Sequence, residues 1–356
     1  MILEDKRILV TGGTGSMGQV LVRRILTGEL GTPRKVIVLS RDEAKQHAMR
    51  MAYLNRHVTT DETIYRNFQN VLEFRIGDVR DYGDVCSALR DADVVANAAA
   101  LKQVPTCEYF PEQALRTNCG GPAHIVRAIH EHRLDVESVI GISTDKACKP
   151  VNVMGMTKAI QERIFTGANI LSPRTRFVCV RYGNVLASRG SVIPLFHDQI
   201  RSGGPVTLTV PGMTRFLLSI EQAVDTVFTA LREAAPGETY VPIIPSATVL
   251  DVARALIGTR KIEIRETGIR PGEKMHEILV SEEEAGRCVR RGDRYYAIRP
   301  MLPELGESRP AEPTPLAREY SSADGVVGPE RTAQLLREHR LLLEQLGPEG
   351  AGEILR

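Results

Sequence analysis

Arg7-Ile8-Leu9-Val10-Thr11-Gly12-Gly13-Thr14-Gly15-Ser16-Met17-Gly18 is a short apolar run closed by glycines at 12, 15 and 18. Five residues of this kind, bounded by a glycine turn, read as a buried strand. Val20, Leu21, Ile25 and Leu26 follow on one side of a helix. Strand, glycine loop and helix in that order form a dinucleotide-binding context. The glycines let the backbone approach a pyrophosphate, and the helix N-terminus faces its charge. Gly12, Thr14, Gly15, Ser16, Met17 and Gly18 are therefore candidate cofactor contacts.

Outward from this unit the alternation continues. Apolar runs at Lys35–Leu39, Leu72–Ile76, Asp93–Ala96, Val139–Ile142 and Arg174–Val180 read as further strands, with helical stretches between them. Such alternation predicts an α/β fold, a Rossmann-type doubly wound parallel sheet with a smaller C-terminal substrate-binding lobe. The expected division is 1–185 for the dinucleotide-binding domain, to which later segments can return, 186–302 for the lobe, and 303–356 for a C-terminal arm and helix. A polar piece, His57–Asn67, reads as a surface insertion. The helix after Glu112 carries Thr117 and Asn118. The last helix starts at Pro329 or Glu330, with Leu335, Leu336, Leu342, Leu343 and Leu346 on its apolar side; its docking partner is left open, its own lobe or a second subunit.

Composition narrows the function. The 356 residues are 42% hydrophobic and 25% charged, with a net charge of +2. That balance is ordinary for a soluble globular protein and does not call for nucleic acid as partner. Six scattered cysteines without metal-ligand spacing suit reduced thiols, and no metal site is expected. The start, MILEDKRILV, enters a strand pattern directly, and no apolar run approaches the roughly 20 residues needed to cross a bilayer. A cytoplasmic protein, not bound to a membrane, is expected.

The chemistry concentrates in Val139–Lys158. Ser143, Thr144, Asp145 and Lys146 sit at a strand's carboxyl end, where open α/β sheets place their chemistry. Met154 and Lys158, four apart, share one helix face. A hydroxyl, a carboxylate and two amines there can move protons at a polyol. Ala98 and Ala99 are small enough for the backbone to pass close to a cofactor, and Lys102 projects from the same strand end. Asp78 and Val79, after the third strand, are placed to meet an adenine. At the end of the second strand, Ser40 and Arg41 suit a 2′-phosphate, favouring NADP over the alternative, NAD. Arginines in the later loops suit a diphosphate.

In sequence order, TGGTGSMG, SRDEAKQ, GDVRD, NAAALKQVPTCEYFPEQALRTN, STDKACKPVNVMGMTK, RYGNVLASRGSVIPLF, MTRFLLS and RPGEKMHE together resemble the UDP-N-acetylglucosamine 4,6-dehydratases of the extended short-chain dehydrogenase superfamily. The likeness is greatest to the capsular-polysaccharide branch, which also inverts C5. It covers about Lys6 to Gly292 firmly. It implies a tightly bound, recycled NADP, a UDP-N-acetylglucosamine or related nucleotide-sugar substrate, a role in surface-polysaccharide or amino-deoxysugar biosynthesis, and assembly into a homo-oligomer. Ser40, Arg41 and Lys45 fall among its cofactor residues. Thr144 takes the superfamily's hydroxyl position and Lys158 its lysine position. Asp145 and Lys146 match the acid and base of the dehydratases. Lys102, Asn184, Arg189, Arg215, Arg270 and Glu273 fall in segments lining the sugar-nucleotide pocket. The superfamily's proton-relaying tyrosine falls at Met154, and a thioether carries no proton. Thr144 assisted by Asp145, or Lys158 with a lowered pKa, then remains to deprotonate the 4-hydroxyl. Water loss across C5 and C6 requires Lys146 neutral and Asp145 protonated. The competing readings are a retaining dehydratase, a 4-epimerase and a catalytically silent NADP-binding sensor.

Overall fold

A computed structural model describes residues 1–54, 68–186, 191–269, 272–306 and 316–345. The expected surface insertion at His57–Asn67 lies outside the described residues. Six strands come first: β1 (Arg7–Thr11), β2 (Lys35–Ser40), β3 (Leu72–Ile76), β4 (Val94–Asn97), β5 (Ser138–Ile142) and β6 (Arg176–Val180). The lobe segment adds β7 (Val206–Leu208), β8 (Thr214–Phe216), β9 (Thr239–Pro242), β10 (Ser246–Thr248), β11 (Ile264–Glu266) and β12 (Ile278–Val280). Three more follow: β13 (Cys288–Arg291), β14 (Tyr295–Ile298) and β15 (Tyr320–Ser321).

Nine of these form one sheet in the order β13-β14-β9-β6-β5-β4-β1-β2-β3. The seven strands from β9 to β3 are parallel, and β14 and β13 continue the sheet antiparallel. The α/β doubly wound sheet expected from the alternation is the fold. Side chains leave a strand to alternate faces, and the core divides accordingly. Ile8, Val10, Val36, Val38, Val94 and Ile140 pack on one side of the sheet. Leu9, Ile37, Leu39, Val95, Val139 and Phe177 pack on the other.

Strand limits move by a residue or two, for local reasons. Asp93 lies one residue before β4, and its carboxylate is held by Arg7, at 2.6 Å from Nη2 and 2.8 Å from the backbone N–H. The helix expected after Glu112 is not continuous. It runs as Pro111–Leu115, a π-helical turn Arg116–Gly120, and Gly121–Glu131. Pro122 cannot donate into the helical ladder, and Asn118 is anchored sideways. Its amide accepts from the Leu101 N–H at 2.8 Å and donates to the Leu101 carbonyl at 2.9 Å. π-Turns of this kind recur at functional sites.

The chain after 186 serves two layers: β9, β13 and β14 join the large sheet, while β8 with β10 and β7 with β11 build small sheets beside it. The last helix, Pro329–Glu338, buries Leu335 and Leu336 in one cluster with Val252, Ala253 and Leu256 of the helix Val249–Ile257. Leu341 and Leu342 join that cluster from beyond the helix end. The docking partner left open by the sequence is thus the chain's own lobe. Leu346 lies outside the described residues. Among the described residues no helix is long and apolar enough to cross a membrane.

Candidate active site

The strand order reverses between β1 and β4, and a cavity of about 1180 Å³ opens outside the carboxyl ends of these strands. Ligands of doubly wound sheets bind in this crevice. The cavity runs from the glycine loop and the ends of β2 and β3 to the lobe.

At its first end the loop is shaped by contacts only glycine permits. Gly12 has φ +66°, and a Cβ there would sit 2.7 Å from the Ala99 backbone. A Cβ on Gly18 would lie 2.5 Å from the Gly12 carbonyl oxygen. Gly15 caps the helix Ser16–Leu26 without a side-chain hydrogen bond, and the first turn holds no acidic residue. The free N–H groups and the helix dipole are therefore left to meet an anion. The donor set fits the pyrophosphate of a dinucleotide. Thr14, Ser16 and Met17 line the same stretch, as do Asp78, Val79, Ala98 and Ala99. The Ser40 hydroxyl is buried and pairs with Thr14 Oγ1 at 2.9 Å. Arg41 is 57% exposed at the cavity and lies 3.8 Å from Asp78. Lys45 lines the wall but is bonded to Asp42 at 2.6 Å.

At the other end, β5 delivers Ser143 to Lys146 into the cavity wall. The turn Asp145–Ala147 is capped by Thr144. Thr144 Oγ1 donates to Asp145 Oδ1 at 2.6 Å, and Lys146 Nζ lies 3.3 Å from the same oxygen. Asn184, after β6, accepts from Lys146 Nζ at 3.1 Å. The helix Val153–Leu171 begins close against this turn. A Cβ on Gly155 would stand 2.2 Å from the Lys146 carbonyl oxygen, so glycine is required there. That approach brings Met154 and Lys158 into the cavity lining. Met154 is buried among Cys107 and Ala114. Lys158 Nζ donates to the Ile142 carbonyl at 2.5 Å and to Gln161 Oε1 at 2.6 Å. Burial lowers the Lys158 amine to about 8.

From the lobe, Arg215, Glu273 and Glu277 line the wall of the same cavity, as does Lys102. Arg215 donates to the Thr214 carbonyl at 2.7 Å, and its Nε is 3.6 Å from Glu277. Arg189 and Arg270 lie outside the described residues. The sequence reading missed Glu277, the last residue of RPGEKMHE. It is 5% exposed, and its Oε1 is 3.8 Å from Lys146 Nζ. A carboxylate ending a motif rich in charge gave no sign of burial.

The electrostatics correct one expectation. Water loss requires a neutral Lys146 and a protonated Asp145, but the chain by itself favours the reverse. Burial raises the Asp145 carboxyl, yet Lys146 and the hydrogen bonds from Thr144 and Glu277 outweigh it and hold Asp145 below the carboxylate range. Burial lowers Lys146, but the charges of Asp145 and Glu277 carry it above the usual amine value. Burial and the Asp145 charge push the Glu277 carboxyl up to about 7.

Behind this turn is a buried ion network. Arg181 donates to Glu162 at 2.6 Å and to Glu284 at 2.7 Å, and Glu162 also accepts from Ser143. It ties β5, the helix Val153–Leu171 and the residues after β12 behind the reactive groups. Glu284 is held down at about 2, its burial outweighed by Arg181.

The model of the polysaccharide biosynthesis protein family matches residues 8–299. The chain belongs to that family. A curated relative named UDP-glucose 4-epimerase, from Rickettsia bellii (strain OSU 85-389), is 42% identical over 299 residues, 83% of each chain. The solved structure of Pen from Bacillus thuringiensis is 31% identical, with a TM-score of 0.83, over 96% of this chain and all of that one. The dTDP-glucose 4,6-dehydratase DesIV from Streptomyces venezuelae, solved with NAD and TYD bound, shares the fold at 20% identity and a TM-score of 0.62, over 95% of this chain and 99% of that one. The family member described here is thus a nucleotide-sugar-modifying enzyme on the extended short-chain dehydrogenase fold.

Proposed function

We propose that this family member is an NADP-dependent UDP-N-acetylglucosamine 4,6-dehydratase that inverts C5. The observation that carries the reading is the Asp145–Lys146 pair, side by side in the cavity at the end of β5, with Met154 in the tyrosine's place. Epimerisation at C4 needs no acid for a leaving group; water loss does.

When bound, the nicotinamide supplies hydride acceptance at C4 and hydride return at C6. Thr144, hydrogen-bonded to Asp145, and Lys158, with its lowered pKa, are the groups that take the 4-hydroxyl proton. With C4 at the ketone level the C5 hydrogen is acidic. Lys146, having passed its proton 3.3 Å to Asp145, removes that hydrogen as the neutral amine. Asp145 gives the transferred proton to the departing 6-hydroxyl. The turn thereby returns to an ammonium beside a carboxylate, with protons balanced. Hydride return at C6 is completed by a proton that C5 takes from water on the opposite face, which gives inversion, while the 4-hydroxyl proton is released to solvent.

Incubation with UDP-N-acetylglucosamine in deuterated water, followed by NMR, tests this. A 4-keto-6-deoxy product with deuterium at C5 and the coupling pattern of the inverted sugar supports the proposal. A C4 epimer that keeps its 6-hydroxyl favours the second reading, a 4-epimerase, for which the names of the Rickettsia relatives speak. An unaltered sugar leaves only cofactor binding.

The NADP assignment rests on Arg41, at the cavity mouth without an acidic residue at position 40. Arg41→Ala is expected to weaken NADP binding about 10- to 100-fold, the worth of a hydrogen bond to a charged group. NAD affinity should stay nearly constant. Equal losses for both dinucleotides, by calorimetric titration, would remove the 2′-phosphate from Arg41.

A further inference from the structure

Three residues beyond Lys158 on the same helix, Gln161 is closed from solvent and sits behind the cavity lining. Its Oε1 accepts from Lys158 Nζ at 2.6 Å, and its Nε2 donates to the Ile142 carbonyl at 3.0 Å. Lys158 Nζ donates to that same carbonyl at 2.5 Å. The bond to Ile142 fixes the amide's orientation, so that its oxygen rather than its nitrogen meets the amine. Gly141 in β5 makes the room: a Cβ there would stand 3.1 Å from Gln161 Nε2 and 2.5 Å from the Phe165 ring. Both partners of Lys158 Nζ are thus neutral carbonyl oxygens. Of the charged groups nearby, Glu162 is bound to Arg181 at 2.6 Å, and in the adjoining turn Asp145 and Lys146 hold each other at 3.3 Å. Burial pushes the Cys119 thiol up to about 11 and raises Cys179 as well, so neither thiol brings a charge to Lys158 at neutral pH.

A lysine ammonium carries three N–H donors; the neutral amine carries two and a lone pair. Neither carbonyl oxygen can donate, so in both forms the two fixed bonds take N–H groups. The third position is left to the remaining proton or to the lone pair. Lys158 lines the cavity, and that position is the one open to a sugar hydroxyl. We propose that Gln161 is a positioning residue that, together with the Ile142 carbonyl, orients the Lys158 amine to accept the 4-hydroxyl proton. Being uncharged, the amide holds the amine without giving it a counter-ion.

Titration of Lys158 in Gln161→Met, a change of similar volume that removes the acceptor, tests this. The chain has nine lysines, few enough for ε-13C-lysine NMR of the substrate-free enzyme to follow each, with Lys158→Met identifying its signal. In the wild type Lys158 should titrate near 8. Its bond to Gln161 is stronger for the charged amine than for the neutral one, so in Gln161→Met the midpoint should fall by about one pH unit. A merely structural role predicts the opposite sign, because a loosened core admits water and the amine rises towards its ordinary value of about 10.4. Should the methionine variant fail to fold, Gln161→Leu serves for the same titration. The kinetic arm rests on the proposed oxidation at C4, which the epimerase reading shares. In single turnovers with UDP-N-acetylglucosamine, reduced-dinucleotide absorbance should appear faster as pH rises through the Lys158 midpoint, and in the variant that limb should move down with the midpoint. A midpoint that stays or rises, or a limb that does not follow it, overturns the proposal. If the wild type oxidises no sugar but the midpoint falls as expected, the functional reading fails and the orientation of Lys158 by Gln161 stands.

Discussion

Replacing Lys146 by alanine is expected to lower water elimination by about 10²- to 10⁴-fold, the usual worth of one positioned acid–base group. Dinucleotide affinity should stay at the wild-type value. The separation follows from distance along the cavity: the glycine loop and Arg41 hold one end, while Lys146 stands at the other among Asp145, Asn184 and Glu277. Asp145→Asn should lose activity to a similar degree, since an amide cannot deliver a proton to the departing hydroxyl. The two losses should not add, because both groups act in one proton transfer. Product formation by NMR and dinucleotide titration on the same preparations check this. Undiminished keto-sugar formation by the Lys146 variant would exclude it as the base.

Replacing Arg181 by methionine should destabilise the fold by about 3–5 kcal/mol, the cost of removing one partner from a buried ion network. Glu162 and Glu284 would be left facing each other behind β5 and β6 with their shared cation gone. A double change that also neutralises Glu284 as glutamine should recover part of the loss. Acid should act on the wild type in the same sense. The Glu284 carboxyl is depressed in the folded chain, so its contribution is complete above the unfolded value of about 4.3 and is lost as pH falls towards 2. Urea midpoints at neutral and acid pH measure both effects. A loss below about 1 kcal/mol would mean that the two carboxyls find other partners. Because Ser143 hydrogen-bonds Glu162, activity in the Arg181 variant should fall along with stability.

Much of the molecule was legible from local pattern. Apolar runs five residues long, a glycine loop in register and helices between them admit few alternatives to a parallel doubly wound sheet. The reactive turn was legible too, because Thr144, Asp145 and Lys146 are adjacent in the chain and a strand end leads into them. Met154 and Lys158 followed from helical spacing. The π-turn at Arg116–Gly120 was not, since its cause is the grip of Asn118 on Leu101, across the turn between two elements. Nor was the need for Gly155, which comes from the carbonyl of Lys146 approaching the helix start.

The sequence alone determined the sheet, the glycine loop and the row of groups at the end of β5, because each depends on residues close along the chain. Only the tertiary structure decided their protonation. Asp145 and Lys146 are neighbours in sequence, but Glu277, whose carboxyl bears on both, arrives from 131 positions further on, and the burial that raises its pKa comes from the tertiary fold. Covalent neighbours fix which groups can react; the field and exclusion of water that set their charges come from contacts made in three dimensions.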